Sequence, residues 1–160
     1  MPSILFVCTA NQFRSPIAAA CLSQSIARED TAAKWSIESA GTWTTPGMPA
    51  PKIALQIADQ LRLEGLDRHL TRQVDQQLLN RFDLIIVMEI GHKEAISSEF
   101  PSSCKRLYLL SEIVDDFAYD IPDPVEPDIN PGDVGRELHR ILTRGKEKIL
   151  HLAMTLSRLQ

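Results

Sequence analysis

Short apolar runs and segments of helical periodicity follow one another along the 160-residue chain. Runs such as Ile4–Cys8 and Leu84–Met88 are apolar at every position, which is typical of strands buried on both faces of a parallel sheet. Four strands are predicted in all, at residues 4–8, 35–39, 84–88 and 106–110. Between them, apolar residues recur at helical spacing over residues 16–26, 53–61 and, more briefly, 74–80 and 91–97.

The C-terminal third combines a proline-rich loop with a long amphipathic segment. Four prolines between Asp120 and Gly132 exclude a regular helix there and predict a stiff loop. An apolar stripe from Val134 to Leu156 then predicts a helix of about 25 residues, roughly 37 Å long and able to cover one sheet face. The whole chain, 1–160, is therefore predicted to be a single α/β domain with a four-stranded, mostly parallel sheet flanked by helices on both faces.

The composition is that of one globular domain without a basic surface. Hydrophobic residues make up 44% of the chain, which is enough for a full-sized core. The formal net charge of -4 argues against a dedicated binder of nucleic acid or of an anionic membrane, since both select a basic face. We expect a cytoplasmic protein, because no apolar run approaches the roughly 20 residues of a membrane span and no signal peptide is evident.

Three cysteines without CxxC spacing indicate reduced thiols, not a disulfide framework or a zinc site. Cys8 lies where the first predicted strand ends and the next helix has not begun. Ligands of open parallel sheets bind beyond such strand ends, and the unpaired N–H groups of a helix N-terminus stabilise a thiolate. Cys8 is therefore a candidate nucleophile. Ser15, followed by Pro16, is predicted to cap that helix through its hydroxyl.

Residues 8–15 have the form C-x5-R-S, a loop whose backbone N–H groups can surround a phosphoryl group. The predicted phosphate-binding residues are Thr9, Ala10, Asn11, Gln12, Phe13, Arg14 and Ser15. The guanidinium of Arg14 can bind two phosphoryl oxygens at once, which lysine cannot do in the same geometry. The hydroxyl of Ser15 can donate to the thiolate when Cys8 leaves.

This loop and three further motifs resemble the low-molecular-weight protein tyrosine phosphatase family. The further motifs are Ser39-Ala40-Gly41-Thr42, Phe82-Asp83-Leu84-Ile85-Ile86-Val87-Met88 and Asp123-Pro124. Their order and spacing agree with the family over nearly the whole chain. The resemblance implies that Cys8 is the nucleophile, that Arg14 binds the phosphoryl group, and that Asp123 is the general acid and later the base toward water.

The same resemblance implies the substrate class and a supporting network. Substrates would be phosphotyrosine-type phosphomonoesters on a protein or a small molecule, hydrolysed through a phosphocysteine intermediate to inorganic phosphate. Asn11, Ser15, Ser39 and His69 would be hydrogen-bonded so that the loop is preorganised, and Asn11 tolerates left-handed backbone. Neither a metal nor an organic cofactor is implied, because Arg14 and backbone dipoles supply the charge stabilisation. The other three histidines are expected to be solvated.

The sequence departs from the family pattern at the predicted cleft. An aromatic residue usually follows the Asp-Pro pair, whereas this chain has Val125 and Glu126. Trp43 and Phe13 are candidates for the missing aromatic wall from other loops, and the alternative is that each simply covers the edge of the core.

Two further departures concern charged residues. Glu89 and His92 stand where some relatives have Asp and Asn, and we interpret them as drift at an exposed helix start. Residues 111–133 hold eight acids and no Lys or Arg, and they predict a negative rim that selects phosphorylated groups flanked by basic residues. A merely solvated acidic face is the alternative, and equal turnover of phosphopeptides with Lys or Asp neighbours would favour it.

Other functions on a similar loop remain open. A thiol-dependent arsenate reductase needs a pair of relay cysteines, whereas this chain offers the isolated Cys21 and Cys104. A phosphocysteine carrier subunit of a sugar transport system has no need of a hydrolytic acid such as Asp123. A silent binder of phosphorylated partners would need neither Cys8 nor Asp123. The sequence leaves undecided whether the substrate is phosphotyrosine, phosphoarginine or a small ester.

Overall fold

A computed structural model describes residues 1–29 and 34–160 and contains one four-stranded sheet. The strands are β1 (Ser3–Cys8), β2 (Ser36–Gly41), β3 (Leu84–Val87) and β4 (Leu107–Leu109). Their order in the sheet is β2-β1-β3-β4, and every neighbouring pair is parallel. All residues of β1 and β3 are buried, which explains their uninterrupted apolar sequences. The predicted parallel sheet is confirmed.

Helices cover both faces of the sheet, as predicted. They are α1 (Arg14–Ala27), α2 (Lys52–Gln60), α3 (Gln76–Leu79), α4 (Ile90–Glu99), α5 (Leu110–Asp115) and α6 (Pro131–Ser157), with 3-10 turns at Leu66–Arg68 and Pro101–Arg106. Because successive strand side chains point to opposite faces, Ile4 and Phe6 pack with α1, α2, α5 and α6. Leu5 and Val7 pack with α3 and α4 on the other face.

Some element boundaries differ from the predicted ones. β2 extends to Gly41 instead of ending at Ser39, because residues 36–41 pair with β1 along its whole length. β4 is shorter than predicted, and α5 follows it directly from Leu110, a helix that the sequence pattern did not indicate.

Ser15 was predicted to cap α1, and that prediction is wrong. The helix begins at Arg14, and no side chain caps it. The Ser15 hydroxyl instead lies 3.0 Å from the Cys8 sulfur and accepts a hydrogen bond from Asn11. The hydroxyl therefore interacts with the loop between β1 and α1 and does not cap the helix.

The long predicted helix is present as α6, with 27 residues. It begins at Pro131, within the segment predicted to be loop, because proline is well tolerated in the first helical turn. The Asn130 side chain caps it by accepting from the Asp133 N–H at 3.2 Å. Of the helices described, none is long and apolar enough to cross a membrane.

Candidate active site

The loop from β1 to α1 is held in shape by Asn11. This residue has a φ of 57°, the left-handed conformation that asparagine tolerates better than most residues. Its buried Nδ2 donates to Ser15 Oγ and to Ser39 Oγ, each at 2.9 Å. Its Oδ1 accepts from the Arg72 N–H at 2.9 Å, which fixes the orientation of the amide.

Further hydrogen bonds connect the loop to His69 and to the two residues that follow β2. His69 Nε2 donates to the Asn11 carbonyl oxygen at 2.7 Å. The Thr42 and Trp43 N–H groups donate to the carbonyl oxygens of Cys8 and Thr9, at 2.9 and 3.0 Å. The four residues expected to form a network, Asn11, Ser15, Ser39 and His69, are thus brought together around Asn11.

Cys8 lies at the base of the loop, nearly inaccessible to solvent. Its Sγ is 3.0 Å from Ser15 Oγ. Because Asn11 donates to that hydroxyl, the Ser15 hydrogen can point to the sulfur or, less closely, to the Ala40 carbonyl oxygen at 3.3 Å. Ser15 can therefore donate to a thiolate at Cys8.

Arg14 is buried at the other end of the loop, with 2% of its side chain exposed. Its Nη1 donates to Glu89 Oε2 at 2.6 Å and to the Ile121 carbonyl oxygen at 2.9 Å. Its Nη2 lies 3.2 Å from Asp123 Oδ2. Paired acceptors are what a buried guanidinium requires, and they fix its plane beside the loop.

Cys8, Arg14 and Asp123 line one cleft of about 210 Å³. Asp123 is held at the mouth, where its Oδ1 accepts from the Val125 N–H at 3.1 Å. The rim includes the exposed apolar side chains of Ile53 and Val125. A larger cavity of about 540 Å³ borders Ser39 and His69, behind the loop, and it does not reach Cys8. Of these two cavities, only the smaller cleft contains a cysteine together with a cation and a carboxyl group.

The predicted aromatic wall is only partly present. Phe13 lines the cleft, although it is largely buried in the core. Trp43 is not among the residues that line the cleft, and its side chain is 84% exposed. The side chain that takes the position after Asp123-Pro124 is the aliphatic Val125.

The interpretation of Glu89 and His92 as drift at an exposed helix start is wrong. Glu89 binds Arg14, and His92, expected to be solvated, is buried with 6% exposure. His92 Nε2 lies 2.8 Å from Thr9 Oγ1 in the loop between β1 and α1. A signal was available in the sequence: polar residues directly after β3 lie at the same sheet edge as Cys8, since β1 and β3 are parallel neighbours.

Most carboxylates of the acidic segment 111–133 are engaged in ion pairs or hydrogen bonds. Six of its eight acids have a cationic or backbone partner: Glu112 with Lys93, Asp115 with Arg144, Asp116 with Lys148, Asp120 with the Ile90 N–H, Asp123 with Arg14 and Asp133 with Arg136. The hydrogen bonds of Asp115 with Arg144 and Tyr119 lower its pKa. Five of these partners are cations, and they offset part of the predicted negative charge of the rim.

Neither the remaining thiols nor the described acids and imidazoles form a second centre. Burial raises the pKa of Cys21 to about 12, which makes it an inert thiol at neutral pH. Within residues 1–29 and 34–160, no group of three or more His, Cys, Asp or Glu side chains is arranged to hold a metal ion.

The family model described as low molecular weight phosphotyrosine protein phosphatase matches residues 3–160. The probable tyrosine phosphatase EpsP of Ralstonia solanacearum is 34% identical over 122 residues, 76% of this chain and 77% of that protein. The YwlE arginine phosphatase structure from Geobacillus stearothermophilus has a TM-score of 0.83 at 27% identity, covering 97% of both chains. The structure of the tyrosine phosphatase Wzb from Escherichia coli K30 with sulphate has a TM-score of 0.79 at 30% identity, covering 93% of this chain and 99% of that one.

The family model spans all four strands, the loop from β1 to α1 and the Asp123 segment, and the matches together confirm the sequence-based expectation of a phosphatase with this fold. The chain belongs to the low-molecular-weight phosphotyrosine protein phosphatase family.

Proposed function

We propose that Cys8 attacks the phosphorus of a phosphomonoester in line with the leaving oxygen. The S–P bond forms as the P–O bond breaks, and Asp123 gives its proton to the departing oxygen. Asp123 then takes a proton from water, which attacks phosphorus and releases inorganic phosphate and the Cys8 thiolate. Ser15 donates to that sulfur as it leaves, and Arg14 with the loop N–H groups holds the three equatorial oxygens.

The observation that carries this proposal is the shared cleft of Cys8, Arg14 and Asp123. Arg14 and Asp123 are in contact, at 3.2 Å, although they are far apart in the sequence. A bound phosphoryl group would compete with Asp123 for the Arg14 guanidinium. The carboxyl group would then be released toward the leaving oxygen on the side opposite the sulfur.

For the substrate we propose phosphotyrosine-type aryl phosphates, on a protein or a small molecule. The apolar rim at Ile53 and Val125 offers a surface for an aromatic ring, with the cleft below it for the phosphoryl group. Phosphoarginine is the second candidate. The similarity to an arginine phosphatase favours it.

Rates on three substrates would decide between these possibilities. A phosphotyrosine peptide, a phosphoarginine peptide and a small alkyl phosphate would be compared at equal concentration, with the Cys8→Ser variant as the blank and Cys104→Ser as the matched thiol control. We expect Cys8→Ser to abolish turnover while still binding vanadate, and Cys104→Ser, an exposed thiol, to be unchanged. Mass spectrometry after rapid quenching should find the phosphoryl group on Cys8. Turnover by Cys8→Ser would contradict the proposal.

The geometry gives little support to the two alternative functions, an arsenate reductase and a phosphoryl carrier. An arsenate reductase would need relay thiols, whereas Cys21 is buried with a high pKa and Cys104 is exposed. A phosphoryl carrier would not need Asp123 beside Arg14. An arsenate assay with thioredoxin as reductant would detect a reductase activity.

We also propose a cytoplasmic location, because three unpaired cysteines suit a reducing compartment.

A further inference from the structure

His92 contacts both ends of the phosphate-binding loop. Its Nε2 lies 2.8 Å from Thr9 Oγ1, at the residue that follows Cys8. The same nitrogen lies 3.2 Å from Glu89 Oε2, the oxygen that accepts the hydrogen bond from Arg14 at 2.6 Å. One buried ring therefore joins the start of the loop to the carboxylate that orients the arginine at its end.

The backbone determines which ring nitrogen of His92 carries the proton. His92 Nδ1 lies 3.1 Å from the Glu89 backbone N, and an amide N–H can only donate. Nδ1 must therefore be the acceptor, so the neutral ring carries its hydrogen on Nε2. That hydrogen is directed to Thr9 Oγ1, while Glu89 Oε2 lies 3.2 Å from the same nitrogen. Burial lowers the pKa of His92, which favours the same neutral form.

We infer that His92 is a positioning residue of the phosphate site: its Nε2–H donates to Thr9 Oγ1 and fixes that side chain, and its ring packs against the Glu89 carboxylate that orients Arg14. It is not a catalytic residue, because it is not among the residues that line the cleft. Its effect passes through two groups that would touch the phosphoryl oxygens. This inference rests on the proposed function only for the identity of the ligand in the loop.

Two substitutions separate the contacts of the two ring nitrogens. The Oδ1 of His92→Asn can replace Nδ1 as acceptor for the Glu89 N–H, but the side chain is too short to reach Thr9. The longer His92→Gln can place its Nε2–H near Thr9 Oγ1 and Glu89 Oε2. It loses the acceptor for the Glu89 N–H, which is the hydrogen bond that caps the start of α4. His151→Asn, an exposed histidine on α6, is the matched control.

The measurements are vanadate affinity and the kcat and KM for p-nitrophenyl phosphate, with circular dichroism as a check on folding. We expect His92→Asn to bind vanadate about three- to tenfold more weakly, the size of one lost hydrogen bond. We expect His92→Gln to recover within about twofold of the parent, and His151→Asn to match it. Thr9→Val should weaken binding similarly and add little to His92→Asn, because both remove the same contact.

Two results would overturn the inference. In the first, His92→Asn binds vanadate and turns over like the parent. In the second, His92→Gln is impaired and His92→Asn is not, which would show that only the cap of α4 matters. If the parent itself neither bound vanadate nor hydrolysed any phosphomonoester, the proposed function would fail and not this assignment. Nitrogen-15 spectra of the parent supply an independent readout, with a protonated Nε2 and a bare Nδ1 expected for His92.

Discussion

Asn11 shows how much of the site depends on a single side chain. Its amide has two N–H groups and one oxygen, and all three are used, toward Ser15, Ser39 and the Arg72 backbone. Its backbone is left-handed, which asparagine adopts at lower cost than most residues. The same residue therefore reverses the chain direction and directs the Ser15 hydroxyl toward the sulfur of Cys8.

Asp123→Asn tests whether the Asp123 carboxyl group is the general acid. The amide preserves the shape of the carboxyl group but cannot give a proton to the leaving oxygen. We expect kcat/KM for phenyl phosphate to fall by about 10²–10⁴-fold, the usual contribution of a general acid, because kcat/KM reports the transfer to Cys8 and not the later attack of water. The loss for p-nitrophenyl phosphate should be much smaller, because its leaving group needs little protonation. Equal losses on both esters, or none, would contradict the role assigned to Asp123.

Sequence patterns predicted some site residues and missed others for a physical reason. Cys8, Arg14 and Ser15 stand in one short loop, so their spacing alone suggested an anion site. Glu89 and His92 reach that loop across 75 and 83 residues, and no local pattern records such contacts. Ser15 was misinterpreted as a helix cap because serine before proline satisfies that rule equally well. Only the fold shows which donor and acceptor the hydroxyl meets.

At the scale of elements, β2 must approach the phosphate-binding loop closely. A Cβ added at Gly41 would lie 2.5 Å from the Thr9 carbonyl oxygen and 3.1 Å from Asn11 Cβ, so one of these elements would have to move. Gly41 also donates its N–H to the Arg72 carbonyl oxygen at 2.8 Å. The C-terminal end of β2 therefore packs directly between the phosphate-binding loop and the 69–72 segment.

Gly41→Ala should consequently damage activity more than stability. We expect displacement of Thr9 to lower kcat/KM by at least about tenfold, since a misplacement of 1 Å can cost about 10²-fold. We expect a loss of about 1–3 kcal/mol in unfolding free energy from overpacking. Gly91→Ala, where a Cβ meets nothing within 4 Å, is the matched control for both measurements. A Gly41→Ala enzyme with parental kcat/KM would mean that the loop is not held by this contact.

His92, in the first turn of α4, should make the free energy of unfolding depend on pH. Burial is the main cause that lowers the pKa of His92, and Arg14 adds to it, while Glu89, Asp120 and Asp123 act in the opposite direction. A group whose folded pKa is depressed binds fewer protons when folded than when unfolded just below its unfolded pKa of about 6.5. Its favourable contribution is therefore present above that value and is lost as the pH falls toward the folded pKa.

Urea unfolding between about pH 8 and pH 5, a range that brackets the ordinary histidine pKa of about 6.5, would measure this effect. The free energy of unfolding of the parent should decrease more steeply with falling pH than that of His92→Gln, which has no titrating ring. His151→Asn, which changes an exposed histidine, should keep the slope of the parent. Parallel slopes for the parent and His92→Gln would show that the ring does not titrate in this way.

The prediction of elements succeeded where a strand is buried on both faces. β1 and β3 are apolar throughout because neither face meets solvent, and that pattern is hard to misassign. α5 was missed because its six residues follow β4 without an intervening turn, so the apolar run of the strand continues into the helix. A segment that short gives too few turns for helical periodicity to show.

Across the whole molecule, α6 holds the sheet face and the smaller helices together through close glycine contacts. A Cβ at Gly135 would lie 2.3 Å from Ile57 Cγ2 of α2, and one at Gly145 would lie 2.3 Å from Val114 Cγ2 of α5. Both glycines are buried and lie within the helix, Gly135 in its second turn and Gly145 near its middle. Glycine is unfavourable there by roughly 0.5–1 kcal/mol relative to alanine, so its presence is best explained by the approach of the neighbouring helices.

Gly145→Ala sets these two effects against each other. The helical gain of about 0.5–1 kcal/mol is smaller than the about 1–3 kcal/mol that overpacking costs, so a net loss of about 1–2 kcal/mol is expected in urea unfolding. Val114→Ala alone should cost about 2 kcal/mol, because it removes two buried methyl groups and leaves a cavity.

Combining the two changes should restore part of what each one loses. The alanine methyl at position 145 would occupy space that the Val114 methyls leave, so the double variant should be more stable than the sum of single losses by about 1–2 kcal/mol. Activity should stay near that of the parent in all three variants, because neither Gly145 nor Val114 lines the cleft that contains Cys8. Additive losses would show that the two helices do not meet as tightly as these distances require. A fall in kcat/KM with stability preserved would instead mean that the contact between α5 and α6 is transmitted to the phosphate-binding loop.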